Sequence, residues 1–281
     1  MNKKSIIVTG GTDGIGLALV KKLIEKDQYV FIIGRNPEKG NAILNDIKSK
    51  NLEFFQCDLS ELNQINELLK KLKNLKKIDV LVNNAGSIFD KRSLNSEGVE
   101  KTFALNHLSY LALSLGLIEN LESSSDPRII NVSSNAHKRY KIDIDDLENN
   151  LNYSGWKAYC RSKLLNIFFT YSFKKEIKTK INSNCLHPGF VNSNFGNNNK
   201  NFYRFLINIL KNLLAIDPNK AALLPLNLTL NEEYKGIDGK YFFKMTEKKS
   251  SHDSYNEDLA KQVWNKSLGY INLWNSWEDN F

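Results

Sequence analysis

Short β-branched runs alternate with amphipathic stretches along most of the chain, and this alternation limits the fold more than any other feature. SIIVTG precedes a periodic segment from Leu17 to Ile24, YVFIIG precedes residues 37–50, LEFFQC precedes 59–72, and DVLVNNAG precedes 98–121. RIINVSS, a helix through Tyr159 to about Lys178, and INSNCLHPG continue the pattern. Strands each followed by a helix imply a parallel sheet covered on both faces. Right-handed crossovers make it doubly wound. No linker rich in Pro, Gly or Ser divides the 281 residues, so one α/β domain spanning 1–281 is expected.

Composition narrows the function. Hydrophobic residues at 41% and charged residues at 25% are those of a globular protein. The formal charge is +8, but Lys21, Lys22, Lys48, Lys50, Lys70, Lys71 and Lys73 are scattered through helices. No basic block with interleaved aromatics exists, so nucleic acid is not expected as a partner; attraction of anionic ligands is. Cys57, Cys160 and Cys185 have no metal-ligand spacing and cannot build a disulfide framework. Cys160 adjoins Tyr159, but helix neighbours point apart, which argues against a redox role. The apolar run in MNKKSIIVTGG is too short for a signal peptide or membrane span. A cytoplasmic setting and no metal site are expected.

The first strand runs into TGGTDGIG, which holds Gly10, Thr12, Asp13, Gly14, Ile15 and Gly16. Glycines at a strand–helix junction let the backbone approach a pyrophosphate seated at the helix N-terminus. The spacing is G-x-x-x-G-x-G rather than G-x-G-x-x-G. The second strand ends at Gly34-Arg35, which offers no carboxylate for a ribose 2′-hydroxyl and a guanidinium for a 2′-phosphate. NADP(H) is therefore expected over NAD(H), although Asp13 in the turn would repel a phosphate.

Tyr159 and Lys163 stand four apart, on one face of a helix. A phenol titrates near pH 10, and a nearby cation would bring it towards a working range for acid/base chemistry. The same spacing also occurs on ordinary surface helices.

In order, TGGTDGIG, Asp58 after the third strand, NNAG at 83–86, Asn106, Ser134 in NVSS, Tyr159-x-x-x-Lys163 and Pro188-Gly189 resemble a short-chain dehydrogenase/reductase over nearly the whole chain. RIINVSSNAHK, SGWKAYCRSKLLNIFF, LHPGFVNSNF and GKYFFKM followed by LAKQVWNKS are similar to the branch of retinol-dehydrogenase-like and WW-domain-oxidoreductase-like members. The resemblance implies a single-domain Rossmann-type fold with a cofactor half (1–125) and a catalytic and substrate half (126–281). It implies Tyr159 as acid/base, Lys163 tuning it and holding the nicotinamide ribose, Ser134 rather than Ser133 orienting the substrate oxygen, and Asn106 binding a water in a relay to Lys163. Cofactor contacts would come from Gly10, Thr12, Asp13, Gly14, Ile15, Gly16, Arg35, Asp58, Leu59, Asn83, Ala85, Gly86, Tyr159, Lys163, Pro188, Gly189, Val191 and Ser193. His107 and His187 are expected to be structural. No counterpart of the hydrophobic N-terminal segment of membrane-anchored retinol dehydrogenases is expected, which argues against retinoid chemistry at a membrane.

The substrate is the least legible part. Phe202, Phe205, Leu206, Ile209, Leu210, Leu213 and Leu214 follow helical spacing within residues 201–216, after Pro188-Gly189. This segment reads as an apolar lid over a variable region at about 190–216, as core or dimer packing, or as an interfacial membrane contact. Phe89 and Trp156 are candidate pocket walls, Trp156 equally a core residue. The expected activity is NADP-dependent interconversion of a carbonyl and an alcohol on a small lipophilic substrate. The alternative is a non-catalytic nucleotide sensor on the same fold. Family resemblance also implies a homodimer or homotetramer, with 108–121 and 164–173 supplying the shared four-helix surface.

Overall fold

The computed structural model describes residues 3–189 and 217–272. Eight strands form one sheet in the order β3-β2-β1-β4-β5-β6-β7-β8. β1 (Ser5–Thr9), β2 (Tyr29–Gly34), β3 (Leu52–Gln56), β4 (Val80–Asn83), β5 (Arg128–Val132), β6 (Asn182–His187) and β7 (Tyr241–Phe243) run parallel. β8 (Thr246–Glu247) returns antiparallel on β7. Its turn is Lys244-Met245, with φ of 49° and 62°. Positive φ at both central residues is what a tight hairpin of matching twist demands. The expected doubly wound sheet is present, with this edge hairpin added.

Period-two alternation divides the strands between two cores. Ile7, Leu81 and Ile129 pack under α3 (Leu62–Leu72) and α7 (Gly155–Ile177). Ile6, Val8, Ile32, Val82, Ile130 and Leu186 pack with α1 (Gly14–Glu25), α2 (Pro37–Ile47) and, further along the chain, the helix Leu223–Leu230. The strand order reverses between β1 and β4, and the crevice at their carboxyl ends is where such sheets place ligands.

Residues 98–121 do not form one helix, as periodicity suggests. α4 (Lys101–Phe103) passes through a π-helical turn (Ala104–Leu108) into α5 (Ser109–Gly116), and α6 (Ile118–Glu122) follows. Asn106 lies in that turn. Single π turns insert an extra residue and recur at functional sites. α2 stops at Ile47 rather than reaching 50, because Lys48 adopts a left-handed cap with φ 49°.

The apolar residues of 108–121 and 164–173 pack largely within the chain. Leu108, Leu111, Leu113, Leu115, Leu117 and Leu121 are buried, as are Leu164, Leu165, Ile167, Phe168, Phe169 and Phe173. After α8 (Pro218–Ala221) and α9 (Leu223–Leu230), α10 (Glu257–Asn272) covers α7. Trp264 stacks on Phe169 at 6.1 Å and 5° and meets Phe173 at 6.4 Å. Within the single chain, α10 thus supplies apolar cover for α7. Trp264→Ala should therefore cost about 3–5 kcal/mol in denaturant unfolding. A loss below about 1 kcal/mol would show that α10 is not part of the core.

Candidate active site

The glycine turn is built by contact. A Cβ on Gly16 would come within 2.2 Å of the Gly10 carbonyl, so the first turn of α1 sits directly on the loop. Gly10 has φ of 64° and passes Ala85 so closely that a Cβ would lie 2.9 Å from its Cα. Thr9 and Asn84, inside the TGGTDGIG and NNAG motifs but not singled out by the sequence, hold this arrangement. The Thr9 hydroxyl accepts from the N–H groups of Asn84 and Ala85 at 2.8 and 2.9 Å. The Asn84 amide donates to the Thr9 carbonyl at 2.9 Å.

Asp13 caps α1, accepting from Gly14 N at 2.8 Å, and its other oxygen pairs with Lys39 at 2.7 Å. Its repulsion of a phosphate is thereby offset. Lys39 lies on α2, one turn beyond Arg35. At Gly34 a Cβ would meet Thr12 Cγ2 at 2.8 Å, so the end of β2 has no room for an acidic side chain.

Asn83 braces the sheet. Its side chain turns into the sheet, fully buried, and donates to Asn131 at 3.0 Å and Ser114 at 3.3 Å. It braces β4 against β5, and the loop face is left to Asn84, Ala85 and Gly86. Asp58 uses one carboxylate oxygen on its own turn, accepting from Ser60 N and Oγ at 3.0 and 2.7 Å; Leu59 beside it is buried. Pro188 and Gly189 follow β6, whereas Val191, Ser193 and 201–216 lie outside the described residues.

β5 and the long α7 bring the chemical groups together. Ser133 turns inward and donates to the Lys163 carbonyl at 2.8 Å. Ser134 emerges at the strand end, its oxygen accepting from Ala136 N at 3.2 Å. Tyr159 forms a side-chain hydrogen bond with Ser134. Lys163 is 3% exposed, and its ammonium donates to the Val132 carbonyl at 3.0 Å. It lies 5.6 Å from the ring centres of both Tyr110 and Tyr159.

Burial dominates the electrostatics. It pushes the Tyr159 phenol above its ordinary value, with Ser134 acting against it, and pushes Lys163 down to about 7.

Asn106 is tied into the loop after β4. Its amide donates to Ser87 O at 2.9 Å and to Ser162 Oγ at 3.0 Å, while its oxygen accepts from Ser87 N at 2.9 Å. Its side chain thus fixes the 84–89 loop. Ser162 in turn donates to the Tyr159 carbonyl at 2.7 Å.

Trp156 is 38% exposed and stacks on Tyr159 at 5.8 Å and 29°, so it is no core residue. A Cβ on its neighbour Gly155 would meet the Phe89 carbonyl at 2.2 Å. The start of α7 is thus pressed on the loop after β4. His107 is structural, bonded to Ser267 at 2.9 Å and pushed down by burial to about 3. His187 stacks on Phe243 at 4.9 Å. Cys160 is buried, its thiol pushed up to about 12. Among the described residues no cluster could hold a metal ion.

A glycine cradle at the first βα junction, a basic pair after β2 and a Ser/Tyr/Lys cluster at the sheet's carboxyl edge define a nucleotide-dependent oxidoreductase. Residues 4–203 match the family model for short chain dehydrogenases. The chain is 34% identical to human polyprenol dehydrogenase over 273 residues, covering 93% of this chain and 83% of that protein. It is 30% identical to human retinol dehydrogenase 13 over 281 residues, covering 96% and 85%. A crystal structure of a protein from Mycobacterium Paratuberculosis superimposes with a TM-score of 0.77 at 22% identity, covering 96% of this chain and 93% of that one. The Pseudomonas aeruginosa RhlG/NADP complex gives 0.67 at 24%, covering 85% and 93%. The chain belongs to the short-chain dehydrogenase/reductase family, on its retinol-dehydrogenase-like branch. It is an NAD(P)-dependent oxidoreductase acting on CH–OH and C=O groups.

The depressed Lys163 value has a measurable consequence. An unfolded lysine holds its proton to about pH 10.4, so between the folded and unfolded values the unfolded chain binds more protons. Stability then rises with pH, and is lost again as pH falls towards about 7. Without added nucleotide, the unfolding free energy of the unmodified protein should climb relative to Lys163→Met by roughly 1 kcal/mol per pH unit from 7.5 to 9.5. A constant difference between the two proteins would refute the burial argument.

Proposed function

We propose that the protein is an NADP(H)-dependent oxidoreductase of a small lipophilic carbonyl/alcohol pair, with Tyr159 as the acid/base. The observation that carries this reading is the meeting of Ser134, Tyr159 and Lys163 at the carboxyl edge of β5. A bound nicotinamide would supply the hydride in reduction and accept it in oxidation. Tyr159 gives a proton to the substrate oxygen in reduction and takes it back in oxidation. Ser134 donates to the same oxygen, where a positioned donor is most useful as charge develops. Lys163 would hold the ribose hydroxyls of the bound nucleotide. As an ammonium depressed to about 7, it would draw in a proton on binding above neutrality.

Arg35 and Lys39 support NADP(H), since together they offer two cations for a 2′-phosphate while Gly34 excludes the carboxylate that NAD(H) would use. Trp156 supports an apolar substrate by presenting an exposed indole beside Tyr159. The names of the polyprenol and retinol dehydrogenases point the same way. The three cysteines are free and buried, which supports a reducing, cytoplasmic setting. No described helix is long and apolar enough to cross a membrane.

NADPH should bind more tightly than NADH, and Arg35→Asp should reverse the order by removing a charged bond worth about 1.5–3 kcal/mol. Equal affinities in the unmodified protein would sink the preference. On an apolar aldehyde, Tyr159→Phe should lower turnover by about 10²–10⁴-fold while NADPH binding persists. Lys163→Ala should damage both. Retained turnover in Tyr159→Phe would overturn the mechanism and favour a nucleotide sensor.

A further inference from the structure

His137 sits three residues beyond Ser134 on a short 3₁₀ turn (Asn135–Lys138) and is 1% exposed. Both its ring nitrogens are engaged. Ser251 N donates to Nε2 at 3.0 Å, so Nε2 carries no proton and the neutral ring must hold it on Nδ1. Nδ1 then donates to the Ser134 carbonyl at 2.6 Å. That carbonyl also accepts the backbone N–H of His137 at 3.1 Å. The ring stands edge-on to Tyr241 at 5.3 Å.

We propose that His137 is a positioning residue for Ser134: an imidazole held in its Nδ1–H form clamps the Ser134 peptide and so sets where the serine hydroxyl points. The role of that hydroxyl rests on the proposed function; the clamp itself does not. Ser134 has extended backbone, with φ −155° and ψ 156°. Its oxygen accepts from Ala136 N, which leaves the hydroxyl proton to be directed into the site. Two donors on one carbonyl fix the peptide plane from which that hydroxyl projects. In the Nε2–H form neither imidazole bond can be made.

The clamp is anchored at its far end. Ser251 O accepts from Ser254 Oγ at 2.5 Å, and Ser254 Oγ lies 2.5 Å from Ser250 Oγ. Ser250 meets the Tyr171 hydroxyl of α7 at 2.7 Å. Burial, with Lys138 close by, pushes the imidazole down to about 4; His187, also pushed down, lies near enough to interact with it. The ring is neutral at working pH, as the two bonds require. His137 thus links the serine loop to the segment that leads into α10.

Two substitutions separate this role from packing. An asparagine amide nitrogen can take the place of Nδ1, whereas a glutamine amide reaches the place of Nε2. With NADPH and an apolar aldehyde, His137→Gln should lower kcat at least about tenfold, a fraction of what loss of a whole oxyanion donor costs. His137→Asn should restore kcat to within about threefold of the unmodified protein. NADPH affinity and substrate KM should change little in either. Equal losses in both variants, or a better Gln than Asn, would mean the ring only fills space and would overturn the proposal. Absence of turnover in the unmodified protein would count against the proposed function alone. The nitrogen NMR spectrum of the unmodified protein, assigned by its loss in His137→Gln, decides the clamp regardless. It should show His137 neutral with its proton on Nδ1, and a proton on Nε2 would overturn the clamp.

Discussion

A reciprocal pair of hydrogen bonds joins the end of β5 to the middle of α7, and the site depends on it. The Val132 carbonyl accepts from the Lys163 ammonium, and the Ser133 hydroxyl donates to the Lys163 carbonyl. One bond fixes the side chain, the other the helix backbone from which it projects. Burying an ammonium is costly without such a partner, and here the rings of Tyr110 and Tyr159 add favourable faces. Register between strand and helix then follows. Ser134, the next residue along β5, arrives beside Tyr159, one turn earlier on α7.

Around this joint, polar side chains replace apolar packing wherever loops must be held. Asn84 and Thr9 hold the glycine turn, Asn106 holds Ser87, and Asn131 donates to Thr170 and Ser183 behind the sheet. Each bond closes over a long stretch of chain. Buried amides of this kind define a unique arrangement because leaving one unmet is costly. The crevice can therefore be lined by loops and still be stiff.

The sequence was informative where a signal is local. Glycines at the first junction, the four-residue step from Tyr159 to Lys163 and the strand–helix alternation all depend on near neighbours, and all stand where they were expected. Strand alternation lets only one of Ser133 and Ser134 face the site, and the family resemblance chose Ser134. What stayed hidden is contact between residues distant in sequence. Lys39 meeting Asp13, Asn84 beside Gly10, and His137 between Ser134 and Ser251 have no signature along the chain. The π turn at Asn106 was concealed because apolar residues continue through it, so period alone reads one helix. The hairpin at Lys244-Met245 lacks the Asn-Gly or Asp-Gly that usually announces such a turn. Apolar faces on α5 and α7 were legible as buried, but periodicity cannot say that α3 packs on the first and α10 on the second.

The covering of α7 by α10 bears on the order in which the molecule can be made. During synthesis, the β5–α7 unit leaves the ribosome well before residues 257–272 exist. Until they arrive, Phe168, Phe169 and Phe173 lack the wall that Trp264 and Val263 supply. A nascent chain at that stage presents a greasy helix flank with its native cover still unmade. Exposed apolar surface of this kind invites association with other chains and capture by chaperones. The part of the sheet built from β1 to β4, whose strands pair early and locally, is free of that delay.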